Sequence, residues 1–331
     1  MDAALAAVSA AVLLLLGCFA PAVPGAEART AVRSARVGYL TEGTHPSANF
    51  EAFRRGLRDL GWVEGQNLVI EYPAADERLD RLPALAAGLV ASHVDVIVAT
   101  ALAAEPATAA TKAIPIVFVT GADPVATRLV ASLARPGANV TGVTTLALEL
   151  EGKRLGLLKE AMPHLKRVAV LLNADRPTRD PILAAAERGA RSLGLQLQTV
   201  EVREGTDLET AVTTITRGGA DAFAIAGAGA SVFFKSQARL AQLALKTRIP
   251  AVAPWRQFAE EGGLMSYGAN TEELFRRAAG QVDRILKGAR PGDLPVEQAS
   301  KFEMVVNVRT AQALGLTLPR PFLLRADELI Q

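Results

Sequence analysis

Apolar residues along this chain recur in two alternating rhythms. Arg36–Leu40 is a short apolar run, and Phe50, Phe53, Leu57 and Leu60 then repeat at helical spacing. Gly61 stands where a helix of that phase would need a C-terminal glycine. Leu68–Tyr72 predicts a second strand and Leu79–Val90 a second amphipathic helix. Val94–Thr100 is rich in β-branched residues, as a strand buried on both faces requires, and Ile116–Thr120 repeats that character. Asn139–Thr145 closes the set. The rhythm then restarts, with strands expected at Arg167–Asn173, Leu195–Val202, Ala222–Ala226 and Ile249–Ala253, separated by helical segments. Glu272–Leu286 reads as a strong helix ended by Lys287-Gly288, and Leu294–Ala299 and Phe302–Val308 read as further strands. Alternating βα units imply parallel sheets with right-handed crossovers. The expected fold class is therefore α/β, as two Rossmann-like, doubly wound parallel-sheet domains. Residues 34–145 plus 271–293 are expected to form the first lobe and 146–270 plus 294–331 the second, joined by a multi-crossover hinge.

The first segment breaks both rhythms. Ala3 to Ala26 carries no charge, Val8–Leu16 is strongly apolar, and Pro21 and Pro24 interrupt its downstream side. Ala20-Pro21-Ala22 and Ala26-Glu27-Ala28 offer small-residue cleavage sites, so residues 1–26 read as a secretory signal peptide and the protein as exported to the periplasm. Cys18 comes after Leu15-Leu16-Gly17, an arrangement similar to a bacterial lipoprotein box. Lipidation at Cys18 and cleavage after Ala22, Ala26 or Ala28 both stay open.

Composition narrows the function. Half of the 331 residues are hydrophobic, which rules out a disordered chain. The 36 basic residues are matched by 34 acidic ones with no basic run, which argues against nucleic acid. One cysteine and three histidines leave little for a metal site. No cofactor is expected.

Several stretches carry a family resemblance: Arg36–Leu40, Phe53–Trp62, Glu64–Leu68, Asp95–Thr100, Ile114–Phe118, Asp123–Val125, Arg135–Gly142, Gly262–Gly268 and Leu294–Gln298. In this order, over roughly residues 35–330, they are similar to the tryptophan/tyrosine-type family of ABC transporter substrate-binding proteins. The resemblance implies a type I periplasmic-binding fold, a small ligand captured between two lobes, and as partners an ABC permease and its ATPase. It leaves the ligand open, an amino acid or a small carboxylate, and implies no catalysis.

Ligands of open α/β sheets sit beyond the carboxyl ends of the strands, near helix N-termini. In the first lobe those ends carry Thr41, Thr100, Ala101, Thr120 and Asp123. The threonine hydroxyls and nearby amides suit a carboxylate, although each threonine also suits a helix cap. Asp123 suits a ligand amine, or equally an N-cap before Pro124. In the second lobe the ends carry Asn173, the loop around Gly229, and Trp255, with Tyr267 further on. The two aromatics are expected to bracket the ligand body, with core packing as the alternative. The resemblance implies an acidic residue in the loop after Ala222–Ala226, where this chain reads Gly227–Ser231 without one. That absence makes a ligand lacking an amine a rival to a simple amino acid.

Two other readings stand beside this one. An exported sensor of the same fold would present its ligand to a membrane receptor. A nucleotide-binding Rossmann enzyme would explain Gly227-Ala228-Gly229 after a strand, but Val232 occupies the third glycine position. His45, His93 and His164 have no partner legible in the sequence.

Overall fold

The computed structural model describes residues 34–44, 47–203, 207–227 and 232–331. The signal segment with Cys18, and also His45 and Gly229, lie outside the described residues. Among the described residues no helix is long and apolar enough to cross a membrane.

The first half supplies β1 (Ala35–Leu40), β2 (Leu68–Glu71), β3 (Val96–Thr100), β4 (Ile116–Thr120) and β5 (Val140–Thr144). The second supplies β6 (Arg167–Asn173), β7 (Gln196–Val202), β8 (Ala222–Ile225), β9 (Ala251–Ala253) and β10 (Met265–Ala269). The chain ends with β11 (Glu297–Gln298), β12 (Phe302–Asn307) and β13 (Glu328–Ile330). Six strands form one sheet in the order β11-β5-β4-β3-β1-β2, and seven form the other as β13-β12-β10-β9-β8-β6-β7. The pairings are parallel except β10 with β12, which run antiparallel.

The central strands explain the apolar runs. Every residue of β3, β4 and β5 is buried, because helices cover both faces of the sheet. Alternate residues of one strand enter different cores: Val96 and Val98 pack with the helix Ala48–Asp59, while Ile97 and Ala99 pack with Leu82–Ala91 and Ala104–Ala110. Burying one such aliphatic side chain contributes about 1.5–3 kcal/mol. The helix Ala48–Asp59 starts at Ser47, whose hydroxyl accepts from Phe50 N at 3.2 Å, and ends before Gly61 at φ +91°.

The chain passes between the sheets three times. It leaves β5 through Thr145–Ala147 into the helix Leu148–Ala161 on the second sheet. It returns after β10 through the helix Thr271–Leu286, whose Leu274, Phe275, Ala278 and Val282 join the core of the first sheet. It crosses back between β11 and β12. Here one sequence boundary is corrected. The expected second lobe began again at 294, but Glu297 and Gln298 pair in parallel with Val143 and Thr144 of the first sheet. The crossing comes after Ala299, whose amide donates to Thr144 O at 2.8 Å. A two-residue edge strand carries too little periodicity to reveal which sheet it joins. Strand periodicity likewise gives no warning of β10 or β13.

Candidate functional site

Strand order fixes where each sheet opens a crevice. In the first sheet the chain steps from β1 outward to β2 and then returns to β3 on the other side of β1. The helix after β1 covers one face and those after β2 and β3 the other, so the carboxyl ends of β1 and β3 diverge into a gap. In the second sheet β6 and β8 stand in the same relation. The helix Arg179–Ser192 packs on one face there, and Leu208–Arg217 and Gln237–Lys246 on the other.

The first crevice holds Thr41, Glu42 and Thr100, all buried. Thr100 Oγ1 lies 3.0 Å from Thr41 Oγ1 and donates to Glu42 Oε2 at 2.8 Å. Thr41 Oγ1 in turn accepts from Gly43 N at 3.2 Å. The loop after β2 is laced onto these residues by backbone bonds: Ala75 N to Thr41 O, Asp76 N to Gly43 O and Glu77 N to Glu42 O. Asp76 and Glu77 take left-handed backbone angles, φ 54° and 66°, to make those bonds. Burial pushes the Glu42 carboxyl above the usual carboxylate range, against the opposing pull of the Thr100 hydrogen bond and the Arg176 charge.

The second crevice sends Arg176 across to the first. Arg176 lies just beyond β6, and its Nη2 donates to Glu77 Oε2 at 3.0 Å with both side chains largely covered, at 12% and 18% exposure. Lys235, beyond β8, places its Nζ 3.7 Å from Glu77 Oε1. Two cations of the second sheet thus converge on one acid of the first. A fully buried ion pair lies on the helix after the first crossover. Arg154 Nη2 is 2.5 Å from Glu151 Oε1, with the side chains 0% and 3% exposed. Glu151 also accepts from Gly227 N at the end of β8, and Arg154 Nη1 donates to Tyr267 O on β10. The pair therefore ties the helix to the ends of two strands.

The residues expected from the sequence take different places. Thr41 and Thr100 meet in the first crevice, where the Thr100 hydroxyl donates to the Glu42 carboxyl. Ala101 comes next at φ 32°, opening a short 3-10 turn. Thr120, on the neighbouring strand, is buried; its Oγ1 accepts from Ala122 N at 3.1 Å, which leaves its own proton available. Asp123 is exposed and accepts from Val125 N and Ala126 N, so its carboxylate serves a turn. Asn173 Oδ1 accepts from Asp175 N, another local turn, at the mouth of the second crevice.

Trp255 and Tyr267 are each 7% exposed and lie in different cores. Trp255 shares the phase of Ala251 and Ala253 and packs edge-on to Phe234, with ring centroids 5.4 Å apart. Tyr267 shares the phase of Met265, stacks on Phe302 and lies under Lys153 Nζ. Trp255, at the N-cap of the helix Arg256–Glu260, belongs to the core on one face of the second sheet and Tyr267, on β10, to the core on the other.

Sequence reasoning missed Glu42, Glu77 and Arg176. Glu42 adjoins Thr41 at a strand end, a position that signals a site. Glu77 and Arg176 lie in loops whose meeting depends on how the two sheets face each other.

The model of the family described as ABC transporter substrate binding protein matches residues 39–330. A tyrosine-binding protein of Clostridioides difficile (strain R20291) is 26% identical over 275 residues, which span 82% of this chain and 78% of that one. Among solved structures, a conserved domain protein from Vibrio cholerae is 28% identical with a TM-score of 0.79, covering 90% of this chain and 100% of that one. An ABC domain from Streptococcus pneumonia in complex with L-Trp is 25% identical, with a TM-score of 0.77 and the same coverage. The two sheets and their crossovers are those of a type I periplasmic-binding fold. With two mostly parallel sheets, two facing crevices and a family match over nearly the whole described chain, this protein belongs to the ABC transporter substrate-binding proteins.

Proposed function

We propose that this chain is the periplasmic, substrate-capturing component of an ABC importer. It binds a small ligand between the two sheets and delivers it to a permease, whose ATPase supplies the work. The observation that carries this reading is the meeting of the crevices, with Arg176 beyond β6 reaching Glu77 beyond β2. Only a closed arrangement brings both walls to a ligand, so binding stabilises closure. The ligand is an amino acid or a small carboxylate, and the tyrosine- and L-Trp-binding relatives favour an aromatic one. Its acidic group is assigned to Thr120 and the neighbouring amides rather than to Thr100.

Thermal unfolding of a chain beginning near Glu27 tests the reading. The panel holds amino acids, aromatic acids, dicarboxylates and nucleotides. A ligand that binds only the folded state, at a hundred times its Kd, adds about 2.7 kcal/mol and raises the midpoint. A rise with an amino acid or carboxylate, recovered unchanged, is the expected result. A rise with dinucleotides alone would overturn it. Thr120→Val leaving the affinity unchanged would remove the carboxylate assignment.

A further inference from the structure

Among the described residues, Glu42 is a buried acid without an ion-pair partner. Its side chain belongs to a residue only 2% exposed, at the crevice between β1 and β3. Among the described residues no Lys, Arg or His nitrogen comes within the 4.0 Å of a salt bridge to it. Arg176, whose charge acts favourably on it, is already bonded to Glu77. Its Oε2 accepts from Thr100 Oγ1, which itself lies 3.0 Å from Thr41 Oγ1. A buried, uncompensated carboxyl is costly to a fold. Where it also faces a ligand crevice, it marks a functional group.

We propose that Glu42 determines ligand specificity, its carboxylate receiving a protonated amine of the cargo in the crevice between β1 and β3. The cargo is then an amine-bearing small molecule, not a plain carboxylic acid. Thr100 orients the carboxyl by holding Oε2. The ammonium supplies the missing counter-charge, in a hydrogen bond strengthened by charge on both partners. This also answers the acid missing from Gly227–Ser231: the amine is met from the first sheet instead of the second. The inference rests on the reading of the protein as a small-molecule receptor.

The test uses matched pairs that differ only in the amine: L-tyrosine against 3-(4-hydroxyphenyl)propanoate, L-tryptophan against 3-(indol-3-yl)propanoate, and L-leucine against 4-methylpentanoate. Calorimetric titration of the wild type should show the amine member binding about tenfold tighter or more, the worth of a hydrogen bond to a charged group. Glu42→Gln should erase that preference, while its ligand-free midpoint at pH 8 stays equal or rises. A residue needed only for structure would lower that midpoint instead.

A pH series adds a readout that needs no variant. The charged or titratable groups acting on Glu42 are Tyr39 on β1, Tyr72 and Glu77 beyond β2, and Arg176 beyond β6. An ammonium pairs with the ionised carboxyl only, so wild-type affinity for the amine member should fall as pH drops through the Glu42 titration. The Gln variant should stay flat. Equal binding of a des-amino acid, or an unchanged preference in Glu42→Gln, overturns this assignment and leaves the receptor reading intact. Binding of no pair overturns it together with the amino-acid ligand class.

Discussion

Glu151→Gln isolates the energetic cost of one buried charge. Glu151 and Arg154 lie one turn apart on the helix Leu148–Ala161, at 3% and 0% exposure, with Nη2 2.5 Å from Oε1. Glutamine has nearly the same volume, so the change opens no cavity and leaves an acceptor for Gly227 N, now bonded at 3.1 Å. What it removes is the negative charge. Arg154 keeps its bond to Tyr267 O at 3.2 Å, but its Nε has no hydrogen-bond partner, and a guanidinium does not shed its charge. Breaking a buried pair by removing one partner costs about 3–5 kcal/mol. With an unfolding entropy of about 2.1 cal/mol/K per residue over roughly 300 residues, each kcal/mol lowers the melting midpoint by about 1.6 °C, so a fall of roughly 5–8 °C is expected. Differential scanning calorimetry measures it, with urea unfolding as the check on two-state behaviour. The double variant Glu151→Leu, Arg154→Met removes both charges and should lose less than the single one, because apolar pairs replace buried ion pairs at little cost. A Glu151→Gln midpoint within about 2 °C of wild type would refute the reasoning. So would a double variant worse than the single.

Three further outcomes are expected. Gly268→Ala would place a Cβ 2.0 Å from the Pro254 carbonyl oxygen, so the end of β10 must shift away from β9; a loss of about 1–3 kcal/mol should appear in urea unfolding. Asp221 accepts from the amides of Arg167 and Lys166, which hold its carboxyl below the usual range. Its stabilisation is therefore present above the ordinary aspartate range, near pH 4, and is lost as pH falls through the lower folded value; Asp221→Asn should show a shallower loss of midpoint from pH 5 downward. Arg176→Met removes the hydrogen-bonded one of the two cations that reach Glu77 across the crevices, so small-angle scattering of the ligand-free protein should give a larger radius of gyration than wild type. An unchanged radius would show that this pair does not hold the lobes together.

Local chemistry made much of this protein legible before any coordinates. β-Branched runs at 94–100 and 116–120 can satisfy burial on two faces only inside a parallel sheet, and both form fully buried strands. The two sets of βα units, and the family motifs spread along them, likewise need only short windows of sequence to be read. The threonines at strand ends were legible as candidates for the same reason, since the end of a strand is a local event. What each threonine does was not. The Thr100 hydroxyl serves Glu42 from 58 positions away, because β1 and β3 are neighbours although β2 separates them in the chain.

The same distinction governs the other placements. Trp255 and Tyr267 lie close in sequence, yet one joins the core on one face of the second sheet and the other the core on the opposite face, which only the assembled sheet decides. Glu297 and Gln298 could join either sheet until the helix Thr271–Leu286 fixed where the chain returned. Arg176 and Glu77, 99 residues apart, meet only because two crevices face each other. Hydrophobic periodicity thus determined the elements and their class, since it records which residues must leave water along each segment. Tertiary structure alone decided the partners of the polar groups, because charges and hydrogen bonds are satisfied across the chain, where no local pattern marks who will meet whom.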